Sequence, residues 1–287
     1  MKTAGPPPRP RFCVLASGSS GNCALIDLPG PSRRLIMIDA GLSPRRTRAR
    51  LELVGARLDD LAALFLTHLD SDHWFQGWAD ALPPDLPIVV HERHTHAAWA
   101  LGVPRHRTTP IDRDLDLPGL PAVRATLARH DDLGSCALRF LFHDASLGYA
   151  TDVGLLTRGL VDLLRGVDTL AIESNYCPRL QADSDRPEHL KRRITGGRGH
   201  LSNEESRRAV DAIAPRRHVV LLHLSRQCNR PEIAASHHAN APYALTISRH
   251  DLPTGWIDVG DGRRDDPAGL QWELFECHNP LHSPTPR

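Results

Sequence analysis

The stretch Thr67–Trp74, THLDSDHW, follows the apolar run LAALFL and decides how the whole sequence is interpreted. LAALFL is typical of a short buried strand, so the polar residues begin where the strand ends. In an extended segment His68 and Asp70 point to the same side, whereas the adjacent Asp72 and His73 point in different directions. Imidazole and carboxylate groups are common ligands of divalent cations, so this loop can supply two neighbouring ions. The alternative is a polar loop in which Asp72 caps a following helix.

The composition is that of a globular protein in water. The chain has 287 residues, 40% hydrophobic and 24% charged, which favours one or two domains. A formal net charge of +1 excludes a polycation that binds nucleic acid through overall charge alone. Nearly all basic residues are arginine, since the chain contains only Lys2 and Lys191 as lysines.

Neither export nor membrane insertion is expected. The six cysteines form no C-x-x-C pair, and the N-terminal segment MKTAGPPPRPRF lacks the apolar core of a secretion signal. No run of the sequence approaches 18 apolar residues. We therefore predict a cytoplasmic protein with reduced thiols and no membrane contact. The sequence does not indicate the oligomeric state.

Three regions are predicted along the chain. Residues 1–10 are rich in proline and are predicted to be a disordered tail. Residues 11–261 are predicted to form one catalytic domain. Residues 262–287 are predicted to be a C-terminal extension that is partly disordered.

Polar residues repeatedly follow or end the strand-like runs, at His68, His130, Asp152, Glu173 and His223. Between these runs lie segments of helical character. They are 43–54 with Ser43 as N-cap, 74–82, 155–166, 187–197 and 204–214. The pattern predicts an α+β fold, an αββα sandwich of two mixed sheets with helices on the outer faces and a site at one edge. The four histidines between residues 91 and 106 are expected on the surface.

Several motifs carry a family resemblance. THLDSDH, RHDD, GYATDVG and LLHLS resemble the metallo-β-lactamase superfamily, and ASGSSGNCALI, IDAGLS, AIESNY, GHLSN and HLSRQCN are similar to its YycJ/WalJ-like branch. These segments extend from about residue 13 to residue 230. The resemblance implies the same αββα fold and a metal-dependent phosphodiesterase, specifically a 5′-to-3′ DNA exonuclease. Nucleic acid would then be its partner.

The resemblance also implies a ligand set for two divalent metal ions. Asp152 would bridge the ions, and a metal-activated hydroxide would attack the phosphodiester. One ion would be held by His68, Asp70 and His130, and the other by Asp72, His73 and His223. Among these, Asp72 is also predicted to be essential for catalysis.

Position 70 departs from the family pattern, which reads H-x-H-x-D-H where this chain has Asp70. The change raises the number of ligand carboxylates from two to three, and harder oxygen ligands favour Mn²⁺ over Zn²⁺. The hypothesis is therefore a working binuclear site that prefers Mn²⁺, with Zn²⁺ as the other candidate. There are two alternatives. The site could hold only the second metal, at Asp72, His73 and His223, or it could be non-catalytic.

Residues outside the ligand set receive further roles. His200 is predicted to be the catalytic acid that protonates the leaving alkoxide. Ser202 and Asn203, at the start of a predicted helix, are candidates for substrate binding, although Ser202 with Glu205 also fits a capping box. The remaining candidates are Ser19 and Asn175 for substrate binding and Glu173 for support of the metal ligands.

Four arginines, at 192, 193, 226 and 230, can hold a nucleic-acid backbone, although ordinary solvated charge also explains them. Two rival functions stay open. One is hydrolysis of a small cyclic phosphodiester, a lactone or a thioester on the same fold; the other is a non-catalytic protein that binds nucleic acid or a partner. Basic residues around the cleft would favour a nuclease, and a closed apolar pocket would favour a small acyl substrate.

Overall fold

The computed structural model describes residues 9–260. Most of the predicted tail 1–10 and all of the predicted extension 262–287 therefore lie outside the described residues, as does Cys277. The five cysteines inside this range are free thiols. No helix between residues 9 and 260 is long and apolar enough to cross a bilayer.

Fourteen strands of the described chain form two seven-stranded mixed sheets. The first sheet has the order β14-β1-β2-β3-β4-β5-β6 and the second β13-β12-β11-β10-β9-β8-β7. The strands are β1 (Arg11–Ala16), β2 (Cys23–Asp27), β3 (Leu35–Ile38), β4 (Leu61–Leu66), β5 (Ile88–His91), β6 (Thr108–Ile111), β7 (Asp114–Leu115), β8 (Ala122–Ala128), β9 (Ser135–Leu141), β10 (Ser146–Ala150), β11 (Thr169–Glu173), β12 (His218–Leu222), β13 (Ala244–Ile247) and β14 (Ile257–Asp258).

Helices cover the outer face of each sheet. They are α1 (Pro44–Leu53), α2 (Thr95–Ala100), α3 (Arg158–Leu164), α4 (Pro178–Ala182), α5 (Glu188–Thr195), α6 (Asn203–Ile213) and α7 (Pro231–Ser236). The central core, which includes Phe12, Phe65, Phe140 and Tyr149, lies between the two sheets. A second apolar cluster packs the first sheet against its helices, and a third does the same for the second sheet. This is the predicted αββα sandwich.

Parallel pairing places the functional strand ends together. Strands β3, β4 and β5 are parallel neighbours in the first sheet, and β10, β11 and β12 are parallel neighbours in the second. The carboxyl ends of parallel neighbours lie at one edge of a sheet, and in this class of architecture ligand sites form there. The loops after β4, β8, β10 and β12 carry the polar residues that the sequence singles out.

Local signals predicted most of the helices, but not α4 and α7, and one predicted helix does not form. Ser43 caps α1 by accepting from the backbone N–H of Arg46, as expected. The prediction of a helix over 74–82 is wrong, because only a single 3₁₀ turn forms there, at Gln76–Trp78. The indole N–H of Trp74 donates to the carbonyl of Leu101 and that of Trp78 to the carbonyl of Leu42, and these long-range bonds hold the segment in an irregular path.

The expectation of surface histidines between residues 91 and 106 is also wrong for two of the four. His91 and His94 are buried. His94 reaches the carbonyl of Gly134 at 3.0 Å through Nε2, which explains how a polar ring is accommodated there.

Candidate metal centre

The loop after β4 is fixed by backbone contacts with two neighbouring loops. The N–H of Asn22 donates to the carbonyl of Asp72 at 2.7 Å, and the N–H of Ala40 donates to the carbonyl of His73 at 2.8 Å. A Cβ on Gly41 would lie 1.7 Å from the carbonyl oxygen of Asp72, so only glycine allows this approach. Asp72 caps no helix, which removes the structural alternative for this segment.

Seven side chains converge at this edge in overlapping groups. In each group, every residue offers one ligand atom, and these atoms lie within 4.8 Å of one another. Three of the groups are His68 with Asp70 and His130, Asp72 with His73 and His223, and His68 with His73 and Asp152, and a fourth joins Asp152 and His223 to Glu173 and His200.

Asp152 lies between the first two groups. Its carboxylate oxygens are 3.1 Å from Nε2 of His73, 3.2 Å from Nδ1 of His223 and 4.0 Å from Nε2 of His130. A carboxylate in this position can reach cations on both sides. The structure therefore brings together the two triads and the bridging residue that the sequence suggested.

The four histidines share a hydrogen-bonding pattern that suits a metal. In each ring Nδ1 contacts a protein acceptor, which fixes the ring and leaves Nε2 as the ligand atom. The Nδ1 partners are Thr67 Oγ1 for His68 (3.1 Å), Asp39 Oδ2 for His73 (2.8 Å), the Gly199 carbonyl for His130 (2.9 Å) and Glu173 Oε1 for His223 (3.1 Å). The Nε2 atoms of His68 and His223 are buried without a hydrogen-bond partner, so these residues fit divalent cations.

The electrostatics of the centre favour positive charge. Burial alone lowers the pKa of His73, but Asp39 and Asp152 outweigh burial and raise the pKa well above its ordinary value. For His223, burial is outweighed by Asp152 and other carboxylates, and its pKa is raised to about 10. Burial holds the pKa of His68 well below its usual range. Cations at the centre would take the place of these imidazole protons.

Asp39 supports the centre by contacting the ring of His73 on the side away from Nε2. It was not identified as a site residue from the sequence. It is fully buried and follows β3. Its Oδ1 accepts from the backbone N–H of Thr67 at 2.8 Å, and its Oδ2 accepts from Nδ1 of His73 at 2.8 Å. Asn22 also contacts the ring, with Nδ2 2.9 Å from Nε2 of His73. The only signal in the sequence was the position of IDAG at the end of a strand-like run.

Three site residues adopt backbone angles that side chains rarely take. Asp39, Asp152 and His223 have φ values of 61°, 54° and 56°. Each follows a strand end, and the left-handed conformation turns the chain sharply so that the side chain faces the centre. Such strain persists where the surrounding structure holds it, and it clusters at functional sites.

Buried Glu173 and half-buried His200 form a pair beside the candidate metal ligands. Glu173 is fully buried, and its Oε1 lies 2.7 Å from Nδ1 of His200 and 3.1 Å from Nδ1 of His223. Its Oε2 accepts from the backbone N–H groups of Val153 and Leu201. Burial alone lowers the pKa of His200, but Glu173 outweighs it and raises the pKa. The pair can hold a proton near the bridging Asp152, 3.5 Å from His200.

The four substrate-binding candidates divide into two kinds. Ser19 and Asn175 line the cleft above the centre, and Asn175 donates to the carbonyl of His223 at 2.8 Å. Ser202 and Asn203 are buried and outside the cleft lining. Ser202 caps α6 in a capping box with Glu205. The Asn203 amide accepts a hydrogen bond from the Ser174 hydroxyl and donates one to Asn229 Oδ1. Their assignment to substrate binding is therefore corrected to a structural role.

The cleft has a volume of about 800 Å³, and most of the residues that line it are polar. Its floor contains Asp72, Asp152, His130, His200 and His223. Apolar side chains contribute one part of the wall, and they are Pro187, Leu190, Ile194 and Leu224. Two arginines, Arg186 and Arg193, also line it. The cleft is thus suited to a charged substrate more than to an apolar acyl group.

Comparisons with known proteins agree with this architecture. The family described as "Beta-lactamase superfamily domain" matches residues 34–224. "Exodeoxyribonuclease YycJ" from Bacillus anthracis is 28% identical over 228 residues, covering 78% of this chain and 85% of the relative. "Exodeoxyribonuclease WalJ" from Streptococcus pneumoniae serotype 2 is 27% identical over 237 residues, with the same coverage. The metallo-β-lactamase fold protein YhfI from Bacillus subtilis superposes with a TM-score of 0.64 at 18% identity, covering 86% of this chain and 99% of that structure. These matches confirm the predicted fold and resemblance.

Proposed function

The chain belongs to the beta-lactamase superfamily, and from that premise we propose that it hydrolyses phosphodiesters with two divalent cations, that its substrate is DNA, and that it degrades a strand from the 5′ end. The observation that carries the proposal is the joint arrangement of two ligand triads and Asp152 at the floor of a polar, arginine-bearing cleft. The two exodeoxyribonuclease relatives support DNA as the substrate class.

The proposed ligands are the seven that the sequence suggested. One cation would be held by His68, Asp70 and His130 and the other by Asp72, His73 and His223, with Asp152 shared. When bound, two such ions lower the pKa of a water molecule between them and stabilise charge on the attacking and leaving oxygens. The role of the chain itself is to fix the four imidazole rings through their Nδ1 partners and to hold Asp72 and Asp152 ionised, since burial is outweighed by neighbouring histidines, which lower the pKa of both carboxyls.

Asp70 is proposed to bias the centre towards Mn²⁺. The three ligand carboxylates Asp70, Asp72 and Asp152 supply more negative charge and more oxygen donors than a site with histidine at position 70. Hard oxygen donors favour Mn²⁺ relative to Zn²⁺.

His200 is proposed to give a proton to the leaving alkoxide. Its Nδ1 is held by Glu173, so the proton to be given is the one on Nε2. His200 lines the cleft with a side chain that is 20% exposed, so the ring is accessible to substrate while Glu173 behind it is buried. After the transfer, the neutral ring regains a proton from water. We expect His200→Ala to lower kcat by about 10²- to 10⁴-fold on DNA.

The leaving group distinguishes proton donation from mere positioning. A p-nitrophenolate leaves without protonation, so bis(p-nitrophenyl) phosphate needs no acid at this step. We expect His200→Ala to lower turnover of this ester much less than turnover of DNA. Equal losses on both substrates would contradict the acid role.

The nuclease assay that tests the function uses single DNA strands labelled at the 5′ or the 3′ end, in Mn²⁺. Wild type is compared with Asp72→Asn and with Asp59→Asn, which removes an exposed carboxylate outside the cleft. We expect wild type and Asp59→Asn to release the 5′ label first as a mononucleotide, and Asp72→Asn to release none. Early release of the 3′ label would overturn the polarity, and an inactive wild type would overturn the nuclease proposal.

A further inference from the structure

Arg186 is a cleft residue to which neither the sequence analysis nor the proposed mechanism gives a role. It lies in the connection between α4 and α5, and its side chain is partly buried against the cleft wall. Three hydrogen bonds hold the guanidinium group. Nε donates to Gln227 Oε1 at 2.9 Å, Nη1 to Gln181 Oε1 at 3.1 Å and Nη2 to Ser225 Oγ at 3.2 Å.

All three acceptors are neutral, so none of them forms an ion pair with the Arg186 guanidinium group. Within residues 9–260, no carboxylate oxygen lies within 4.0 Å of its nitrogens. The other arginine of the cleft lining, Arg193, is paired with Asp131. A guanidinium group fixed by neutral partners is not neutralised by them, and it loses little rotamer freedom when it binds an anion.

The hydrogen-bond count also leaves donors for a ligand. A guanidinium group has five N–H donors. Three are used by Gln181, Ser225 and Gln227, so one N–H remains on each terminal nitrogen, Nη1 and Nη2. Two donors on one planar group match two oxygens of a phosphate, which arginine commonly binds in this bidentate manner.

The position of Arg186 relates it to the metal centre. Its partner Ser225 is two residues after the proposed ligand His223, and both line the same cleft. Two residues span at most about 7 Å of backbone, so Arg186 is held against the segment that carries a proposed ligand. Asn175 fixes this segment, because the backbone N–H of Ser225 donates to the carbonyl of Asn175 at 2.8 Å.

We propose that Arg186 forms a phosphate subsite, which binds a DNA phosphate beside the scissile phosphodiester in the same cleft. This proposal rests on the proposed function for the identity of the substrate. The phosphate is either the terminal 5′-monophosphate of a strand or an internal phosphodiester, and both have the chemistry that the subsite recognises. Arg186 thus positions the strand so that a defined linkage lies over the metal ligands.

The kinetic test compares Arg186→Met and Arg186→Lys with a matched control, Arg179→Met. Arg179 is exposed, belongs to α4 and does not line the cleft. In Mn²⁺, we expect Arg186→Met to raise KM for DNA by about 10- to 100-fold, the range for a lost charged hydrogen bond, with a smaller change in kcat. Arg186→Lys retains the charge but not the planar fork, so its KM should lie between those of wild type and Arg186→Met.

Each substrate is prepared with a 5′-phosphate or a 5′-hydroxyl end. A KM increase confined to the phosphorylated strand would assign the subsite to the terminal phosphate, and equal increases on both strands would assign it to an internal phosphate. If Arg186→Met has the same KM as Arg179→Met on both strands, the subsite proposal is wrong, whatever the nuclease activity.

A binding measurement separates this proposal from the proposed function. The fluorescence anisotropy of a labelled oligonucleotide, made with a phosphonate as an uncleavable first linkage, gives Kd for the metal-loaded protein without turnover. Weaker binding by Arg186→Met than by Arg179→Met, in a protein that cleaves no DNA, would support the subsite and overturn the nuclease. Cleavage by wild type together with equal Kd values for the two variants would support the nuclease and overturn the subsite.

Discussion

Asp39→Asn tests whether the metal centre depends on the hydrogen bonds behind its ligands. The carboxylate uses both oxygens as acceptors, Oδ1 for the N–H of Thr67 and Oδ2 for Nδ1 of His73, each at 2.8 Å. An asparagine replaces one oxygen by an NH₂ group. If that group faces Thr67, two donors oppose each other in a buried position. If it faces His73, the ring must carry its proton on Nε2, the proposed ligand atom.

Either orientation of the amide therefore weakens metal binding. Loss of a group that orients a ligand usually costs 10- to 100-fold in metal affinity, and because both orientations are unfavourable we expect a loss of about 100-fold. This corresponds to about 2.7 kcal/mol of binding free energy. Competition for Mn²⁺ against a chromophoric chelator at pH 7.5 measures the dissociation constants of wild type and variant directly.

Asp168→Asn is the matched control for this measurement. Asp168 is also a buried carboxylate, and its Oδ2 accepts from the backbone N–H of Ser146 at 2.8 Å and from its hydroxyl at 3.0 Å. It precedes β11, at the opposite end of that strand from Glu173. We expect both substitutions to lower the free energy of unfolding in urea but only Asp39→Asn to lower metal affinity. Equal metal affinities of the two variants would refute the reasoning.

Three further outcomes follow from the same structure. Asp70→His should raise the ratio of Zn²⁺- to Mn²⁺-supported activity, and an unchanged ratio would contradict the proposed role of the third carboxylate. Gly41→Ala should abolish metal binding in equilibrium dialysis, because its Cβ would lie 1.7 Å from the carbonyl oxygen of Asp72. The control Gly159→Ala in α3 should retain metal binding, because its Cβ has no neighbour closer than 3.8 Å. Burial lowers the pKa of His94 to about 4, so the unfolded chain binds the proton more tightly and stability falls as the pH drops from about 6.5 to 4. The loss is up to about 3 kcal/mol in urea titrations, and His94→Gln should remove that part of the pH dependence.

The candidate ligands could be singled out in the sequence because their signals are local, whereas their division into two sets came from the family resemblance. Each ligand stands at or just after an apolar run, and parallel strands bring such ends to one edge. Asp39 also follows an apolar run, but its role was not predicted, because it reaches His73 only through the pairing of β3 with β4 and the loop that follows. The proposed role of Arg186 could not be predicted from the sequence either, because its hydrogen-bond acceptors are up to 41 residues away along the chain and only the fold brings them together.

The structure also explains why position 70 can depart from the family pattern. The Asp70 side chain is 53% exposed, whereas the side chains of His68 and His130 in the same triad are each 5% exposed. Each of these two histidines needs an Nδ1 partner in a buried setting, and a carboxylate in its place would lose its hydration and leave that partner unsatisfied. Asp70 keeps contact with water, so a carboxylate there has a smaller desolvation cost than at the two buried positions, although partial burial still raises the pKa of Asp70. A change of ligand type at this position therefore alters the charge of the centre while leaving the buried hydrogen-bond framework intact.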